Sequence, residues 1–137
     1  MKAHPGRLKD FVAQVFVKLN CGDEEAKTIA DHLVESNLAG HDSHGVIRVP
    51  YYAQWVRKEM VFPGRSCKLV LDTDALTVVD GQLGFGQWVG KQAVQIGIEK
   101  CAKHGISLLA IRNSGHLGRI GTWAEQAASA GLVSLNF

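Results

Sequence analysis

The chain has 137 residues, 46% of them apolar and 20% charged, with a formal net charge of +2. That is the size of one ordinary globular domain with enough apolar mass for a core, and no low-complexity tract points to disorder. The 15 Lys and Arg are scattered among 13 Asp and Glu rather than clustered with aromatics, which argues against a nucleic-acid partner.

Leu8, Phe11, Val12, Val15, Phe16 and Leu19 recur at three- and four-residue intervals, the spacing of one helix face. After the Asn20-Cys21-Gly22 break, Asp23 reads as an N-cap. Glu24 and Glu25 suit the positive end of a helix dipole, and Ala26, Ile29, Ala30, Leu33, Val34 and Leu38 continue the stripe, so a helical hairpin is predicted. Gly40 stops the second helix. A third is expected from Gly45 to Lys58, with Pro50 perturbing its first turns, and Met60 to Gly64 reads as loop.

Lys68 to Leu71 and Leu76 to Val79 predict a β-hairpin around Asp72-Thr73-Asp74. Asp80, Gly81, Gly84 and Gly86 make a loop, a long helix runs from Gln87 to His104, and Gly105 ends it. Ile106 to Ile111 predicts a buried strand, Arg112 to Gly118 a loop, the stretch to Ala130 a helix, and Leu132 to Phe137 a last strand. The fold class is α/β, with N-terminal helices over residues 1–64 followed by a mixed sheet with packed helices over residues 65–137. An apolar last strand with no polar tail reads as an element stopped midway, so an incomplete part of a larger fold is expected.

Cys21, Cys67 and Cys101 are odd in number and unpaired in spacing, which fits reduced thiols and neither a disulfide framework nor a zinc site; no other metal-ligand spacing is visible. No signal peptide and no run of membrane-spanning length is present, so a cytoplasmic protein is expected, with no membrane partner. His4 is expected to lack order. His32 and His104 read as structural, and Trp55, Trp88 and Trp123 as core or interface.

Two segments could carry chemistry. In His41-Asp42-Ser43-His44-Gly45-Val46-Ile47-Arg48, Ser43 could cap a helix that sets His44 and Arg48 on one face. A guanidinium grips a carboxylate through two parallel hydrogen bonds, and an imidazole one turn away could bond the neighbouring oxygen or a cofactor; a capped helix with solvated side chains is the other reading. In Asn113-Ser114-Gly115-His116-Leu117-Gly118-Arg119-Ile120-Gly121, glycines allow close approach of a ligand, and His116 could exchange the proton of a hydroxyl during hydride transfer. This stretch is not the Gly-x-Gly-x-x-Gly fingerprint, so it carries no Rossmann claim, and a plain tight turn with a loop histidine is its other reading.

With Asn37-Leu-Ala-Gly-His-Asp-Ser-His-Gly45, Arg48, Pro50, Tyr52, Asp80-Gly, Gly84-Phe-Gly-Gln87 and His116-Leu-Gly-Arg-Ile-Gly121 in this order, the chain from Leu8 to Phe137 resembles the type-2 malate/L-lactate dehydrogenase family. The resemblance implies a non-Rossmann oxidoreductase that passes a hydride between NAD or NADP and C2 of a small 2-hydroxy or 2-oxo acid, typically as a homodimer. It implies His116 as the general acid/base, His44 as a cofactor contact near the nicotinamide, and Arg48 as the carboxylate binder. Ser43 and Tyr52 would line the same pocket, and Gly118, Arg119 and Ile120 would touch the cofactor. Arg48 and His116 are expected to meet across one cleft. Family members run to more than twice this length, which leaves a second expectation from another class: an inactive fragment acting as a dimerisation or regulatory module.

Overall fold

The structure is a computed structural model and describes residues 3–137. It resolves into two compact units, with the boundary between Gly64 and Arg65.

The first unit is helical. Helices α1 (Pro5–Lys18) and α2 (Asp23–Leu38) form the hairpin, and the turn between them places Asn20 at φ 68°. Their facing stripes bury Val12, Phe16, Ala26, Ile29, Ala30, Leu33 and Val34, each worth up to about 1.5–3 kcal/mol for the larger side chains. Lys9 on α1 ties the hairpin from outside, 2.6 Å from Glu35 and 3.4 Å from Asp31. Gly22, not Asp23, stands at the cap of α2; Asp23 is its first helical residue, where its charge still complements the dipole. His4 is ordered as the cap residue of α1, with its carbonyl accepting from Leu8 N at 3.0 Å.

The third helix starts later than the sequence suggests. Two 3₁₀ turns, Asp42–His44 and Val46–Arg48, precede α3 (Val49–Arg57). Proline has no N–H to give to a helix and disfavours helical geometry in the residue before it, so Pro50 is accommodated only in the first turn of α3. Gly45 separates the two turns in an extended conformation, φ −86° and ψ −155°.

The second unit is a three-stranded sheet with two helices. Strands β1 (Lys68–Asp72) and β2 (Leu76–Asp80) are antiparallel, with a bulge between Leu69 and Leu71, and β3 (Leu108–Arg112) runs parallel to β2 on its other side. The crossover from β2 to β3 is α4 (Gly86–His104), which Gly105 ends in the left-handed conformation at φ 78°. Thr77 and Val79 pair with Leu109 and Ile111, and Leu109 lies against α4 at Gly97, so these four face the helix. The expected buried strand is therefore an edge strand of alternating exposure, with Leu108 66% exposed on the other face.

Helix α5 (Gly121–Ser129) follows the histidine loop. The strand expected over Leu132 to Phe137 does not form. Gly131, at φ 76°, donates to Ala128 O and Leu132 N donates to Ala127 O, so these residues close α5 instead. Val133, Leu135 and Phe137 beyond them are exposed, with no strand beside them among the described residues.

Candidate active site

In the helical unit, Gly40 leaves α2 at φ 77° and the chain turns back so that His41 N donates to Ser36 O at 2.8 Å. Asn37 then organises the following turns. Its Nδ2 donates to Asp42 Oδ1 at 2.5 Å and its Oδ1 accepts from Val46 N at 2.9 Å. A Cβ on Gly45 would overlap the Asn37 carboxamide, so only glycine lets that side chain reach the backbone.

This architecture alters the expected relation of the polar residues. Ser43 makes no capping bond; its Oγ lies 2.9 Å from His44 Nδ1, one donating to the other according to the imidazole tautomer. The extended Gly45 breaks the continuous helix that was to align His44 with Arg48. Instead Arg48 folds back, and its Nε donates to the Ser43 carbonyl at 2.6 Å. Ser43, His44 and Arg48 are thus gathered by two short turns. With Nε used, Nη1 and Nη2 remain as the parallel pair that suits a carboxylate. Tyr52 is 1% exposed, its ring 5.2 Å from that of Trp55 and 6.3 Å from that of Phe16. Within this chain it offers no accessible pocket surface and anchors α3 in the core.

In the sheet unit, His116 lies in the loop between β3 and α5, at the carboxyl end of a parallel strand. The residue is half-buried, and its main chain is held from several directions. Gln87, fully buried in the first turn of α4, donates from Nε2 to the His116 carbonyl at 3.2 Å. Gly86 packs so closely that a Cβ there would overlap the same carbonyl. Trp123 Nε1 donates to Leu117 O at 3.2 Å, and Gly115 N donates to Gly84 O at 2.9 Å.

Gly118 is buried at φ 74°, a conformation that favours glycine. Arg119 is clamped by Glu125, with nitrogen–oxygen distances of 2.8 and 2.5 Å, and Ile120 is 41% exposed. Beside them, Thr122 Oγ1 is buried in the first turn of α5 with no hydrogen-bond partner among the described residues. An orphaned hydroxyl next to a glycine-opened backbone fits a polar ligand at this loop.

Asp80 ends β2; in the sequence it stands in a glycine-rich loop and in the Asp80-Gly motif, with no role of its own. Its Oδ1 accepts from Gln82 N at 2.8 Å, and its Oδ2 from Asn113 Nδ2 at 2.8 Å and Arg112 Nε at 3.0 Å. The Gln82 N–H above all, then Asn113 and Arg112, hold its carboxyl below the usual carboxylate value. Asn37, Asp80 and Gln87 stand in the motifs that carry the resemblance, but the sequence assigns none of them a role in holding a loop. Each lies within three residues of a glycine, Gly40, Gly81 or Gly86, the only local sign of a backbone-binding role.

The cysteines are all free; burial pushes the Cys67 thiol up to about 11 and raises that of Cys21, so both are protonated at neutral pH. Among the described residues, no group of three metal-ligating side chains comes together, and no helix is long and apolar enough to cross a membrane.

A sequence model of the malate/L-lactate dehydrogenase family matches residues 4–137. This chain belongs to that family. It is 43% identical over 130 residues to a hydroxycarboxylate dehydrogenase B of Escherichia coli K12, an alignment covering 95% of this chain and 36% of that one. It is 41% identical over 129 residues to an L-lactate dehydrogenase of Cupriavidus necator, covering 94% and 36%. The structure of malate dehydrogenase from Pyrococcus horikoshii OT3 superposes with a TM-score of 0.92 at 33% identity, covering 96% of this chain and 38% of that one. This member of the malate/L-lactate dehydrogenase family therefore spans little more than a third of the length of these relatives, and its fold corresponds to part of theirs.

Proposed function

We propose that this chain supplies the proton-exchanging and carboxylate-binding residues of an NAD- or NADP-dependent oxidoreductase acting on a small 2-hydroxy or 2-oxo acid. Membership of the family supports the reaction class, as do the names of relatives at 41 and 43% identity. The observation that carries the residue assignment is the pinned main chain of His116: a half-buried histidine whose carbonyl meets Gln87 and Gly86 and whose neighbour Gly115 is bonded to Gly84, at a strand end where ligands collect.

In the proposed reaction the bound nicotinamide supplies hydride acceptance and donation at C2 of the acid. His116 takes the C2 hydroxyl proton in the oxidative direction and returns it to the carbonyl oxygen in the reductive one. Arg48 holds the carboxylate through Nη1 and Nη2, with its Nε fixed on the Ser43 carbonyl. Ser43 orients His44, whose ring contacts the cofactor near the nicotinamide. Gly118, Arg119 and Ile120 contact the cofactor through the loop before α5, with Arg119 preset by Glu125. Tyr52 supports Arg48 by anchoring α3, the helix that follows it, in the core of the helical unit. Residues 65–137 begin the cofactor-binding region, and the enzyme works as a cytoplasmic homodimer.

The test is to purify the native product containing this chain and follow reduced-cofactor absorbance with a panel of 2-oxo acids. His116→Ala should lower kcat by about 10²–10⁴-fold. Turnover that survives the substitution undiminished would remove the histidine from the mechanism.

A further inference from the structure

Three non-glycine residues of the sheet unit stand at positive φ, Gln82 at 53°, Leu83 at 58° and Asn113 at 50°. Left-handed backbone is disfavoured for residues with a Cβ, most clearly for leucine, and persists only where surrounding contacts over-determine it. Here the contacts converge on one carboxylate. Asp80 and Arg112 are register partners at the ends of the parallel strands β2 and β3, the last pair before both strands release their loops. Asp80 Oδ1 takes the Gln82 N–H, just before Leu83, and Oδ2 takes the Asn113 side chain. Asn113 O in turn accepts from Leu83 N at 2.6 Å, and Arg112 O accepts from Gly81 N at 2.8 Å. Gly84 O then receives Gly115 N, one residue before His116.

We propose that Asp80 is a positioning residue for His116: its carboxylate locks the 81–85 and 113–118 loops to each other in strained conformations and so sets where the imidazole stands. Asp80 bonds Gln82, Asn113 and Arg112 rather than the imidazole, and acts through Asn113 and Gln82. The catalytic meaning of this rests on the reading of His116 given above, but the geometry does not. A carboxylate is the group the arrangement needs, because all three of its partners are donors and an amide offers only one acceptor oxygen.

The experiment uses the native product containing this chain in its wild-type form, as Asp80→Asn, and as Asp80→Asn combined with Asn113→Asp. Asp80→Asn keeps an acceptor for Gln82 N but sets an NH₂ group against the donors of Arg112 and Asn113. The double variant exchanges donor and acceptor and restores the bond between positions 80 and 113. Amide hydrogen exchange at Leu83 and Gly115, and the ring resonances of His116 in histidine NMR spectra, are the readouts. Asp80→Asn should speed exchange at both amides by about tenfold and move the His116 ring signals. The exchanged pair should return exchange to within about twofold of wild type, with the ring signals back in place.

An undisturbed loop and ring in folded Asp80→Asn would overturn the proposal, as would an exchanged pair no closer to wild type than the single variant. If Asp80→Asn does not fold, the exchanged pair decides: wild-type-like ring signals support the lock, and an unfolded or shifted protein refutes it. Because nothing here reads turnover, a failure of His116 as acid/base leaves this outcome untouched, and the two ideas fall separately.

Discussion

The side-chain amide of Gln87 and the main-chain carbonyl of His116 are hydrogen-bonded at 3.2 Å, with Gln87 fully buried. A polar side chain in a core is tolerated only when it has partners, so Gln87 marks a place where the protein gives up apolar packing to hold a loop backbone. Gln87→Leu preserves bulk but removes that donor. Unfolding free energy should fall by about 1–3 kcal/mol, read from denaturant midpoints at unchanged slope. An unchanged midpoint would mean the bond contributes nothing.

Two glycines of α4 should respond in opposite directions to the same substitution. Alanine is the better helix former, so Gly97→Ala, where a Cβ would meet Ser107 Oγ at 3.7 Å and Leu109 Cδ2 at 3.9 Å, should stabilise by about 0.5–1 kcal/mol. Gly86→Ala drives a Cβ into the backbone of His116 and Gly115, which cannot swing aside as a side chain could. It should destabilise by about 1–3 kcal/mol, and thermal melts of the two variants should move to opposite sides of wild type.

Glu25 supplies a pH-dependent prediction. It is 3% exposed, and burial raises its carboxyl above the usual value although Gly64 N donates to Oε2 at 2.9 Å. A raised folded-state value means the native chain binds the proton more tightly than the unfolded one. Stability therefore declines as pH rises from the ordinary carboxylate value towards the raised one, and the cost is fully present above it. Glu25→Gln keeps an acceptor for Gly64 N and carries no charge. Its melting temperature should exceed that of wild type at pH 7, with the advantage vanishing below the ordinary carboxylate range; an advantage independent of pH would exclude this cause.

For Arg48 the expectation separates binding from chemistry. Lysine keeps the positive charge but lacks the fork and cannot reproduce both the Nε bond to Ser43 O and a paired grip on a carboxylate. In the native product, Arg48→Lys should raise KM for the 2-oxo acid by about 10–100-fold, with a smaller change in kcat. Equal KM values would remove Arg48 from acid binding.

The amino-acid sequence by itself determined where chain direction changes and which faces are apolar. The 3.6-residue stripes from Leu8 to Leu38 specify α1 and α2, the β-rich runs around Asp72-Thr73-Asp74 specify the hairpin, and Gly105 ends α4. These depend on local periodicity and on the conformational freedom of single residues. The motifs around His44 and His116 were likewise legible, since they are contiguous. Tertiary structure decided the rest. Asn37 reaches forward to Val46 and replaces an expected helix turn with two short turns, so Arg48 bends onto Ser43. Leu132 closes α5 rather than starting a strand, because a strand needs a ladder partner and an apolar run does not specify one. Asp80 joins Asn113 across 33 positions of sequence. Hydrogen bonds made by a side chain to a group outside its own element leave no periodic trace in the chain, and the folded geometry alone brings donor and acceptor together.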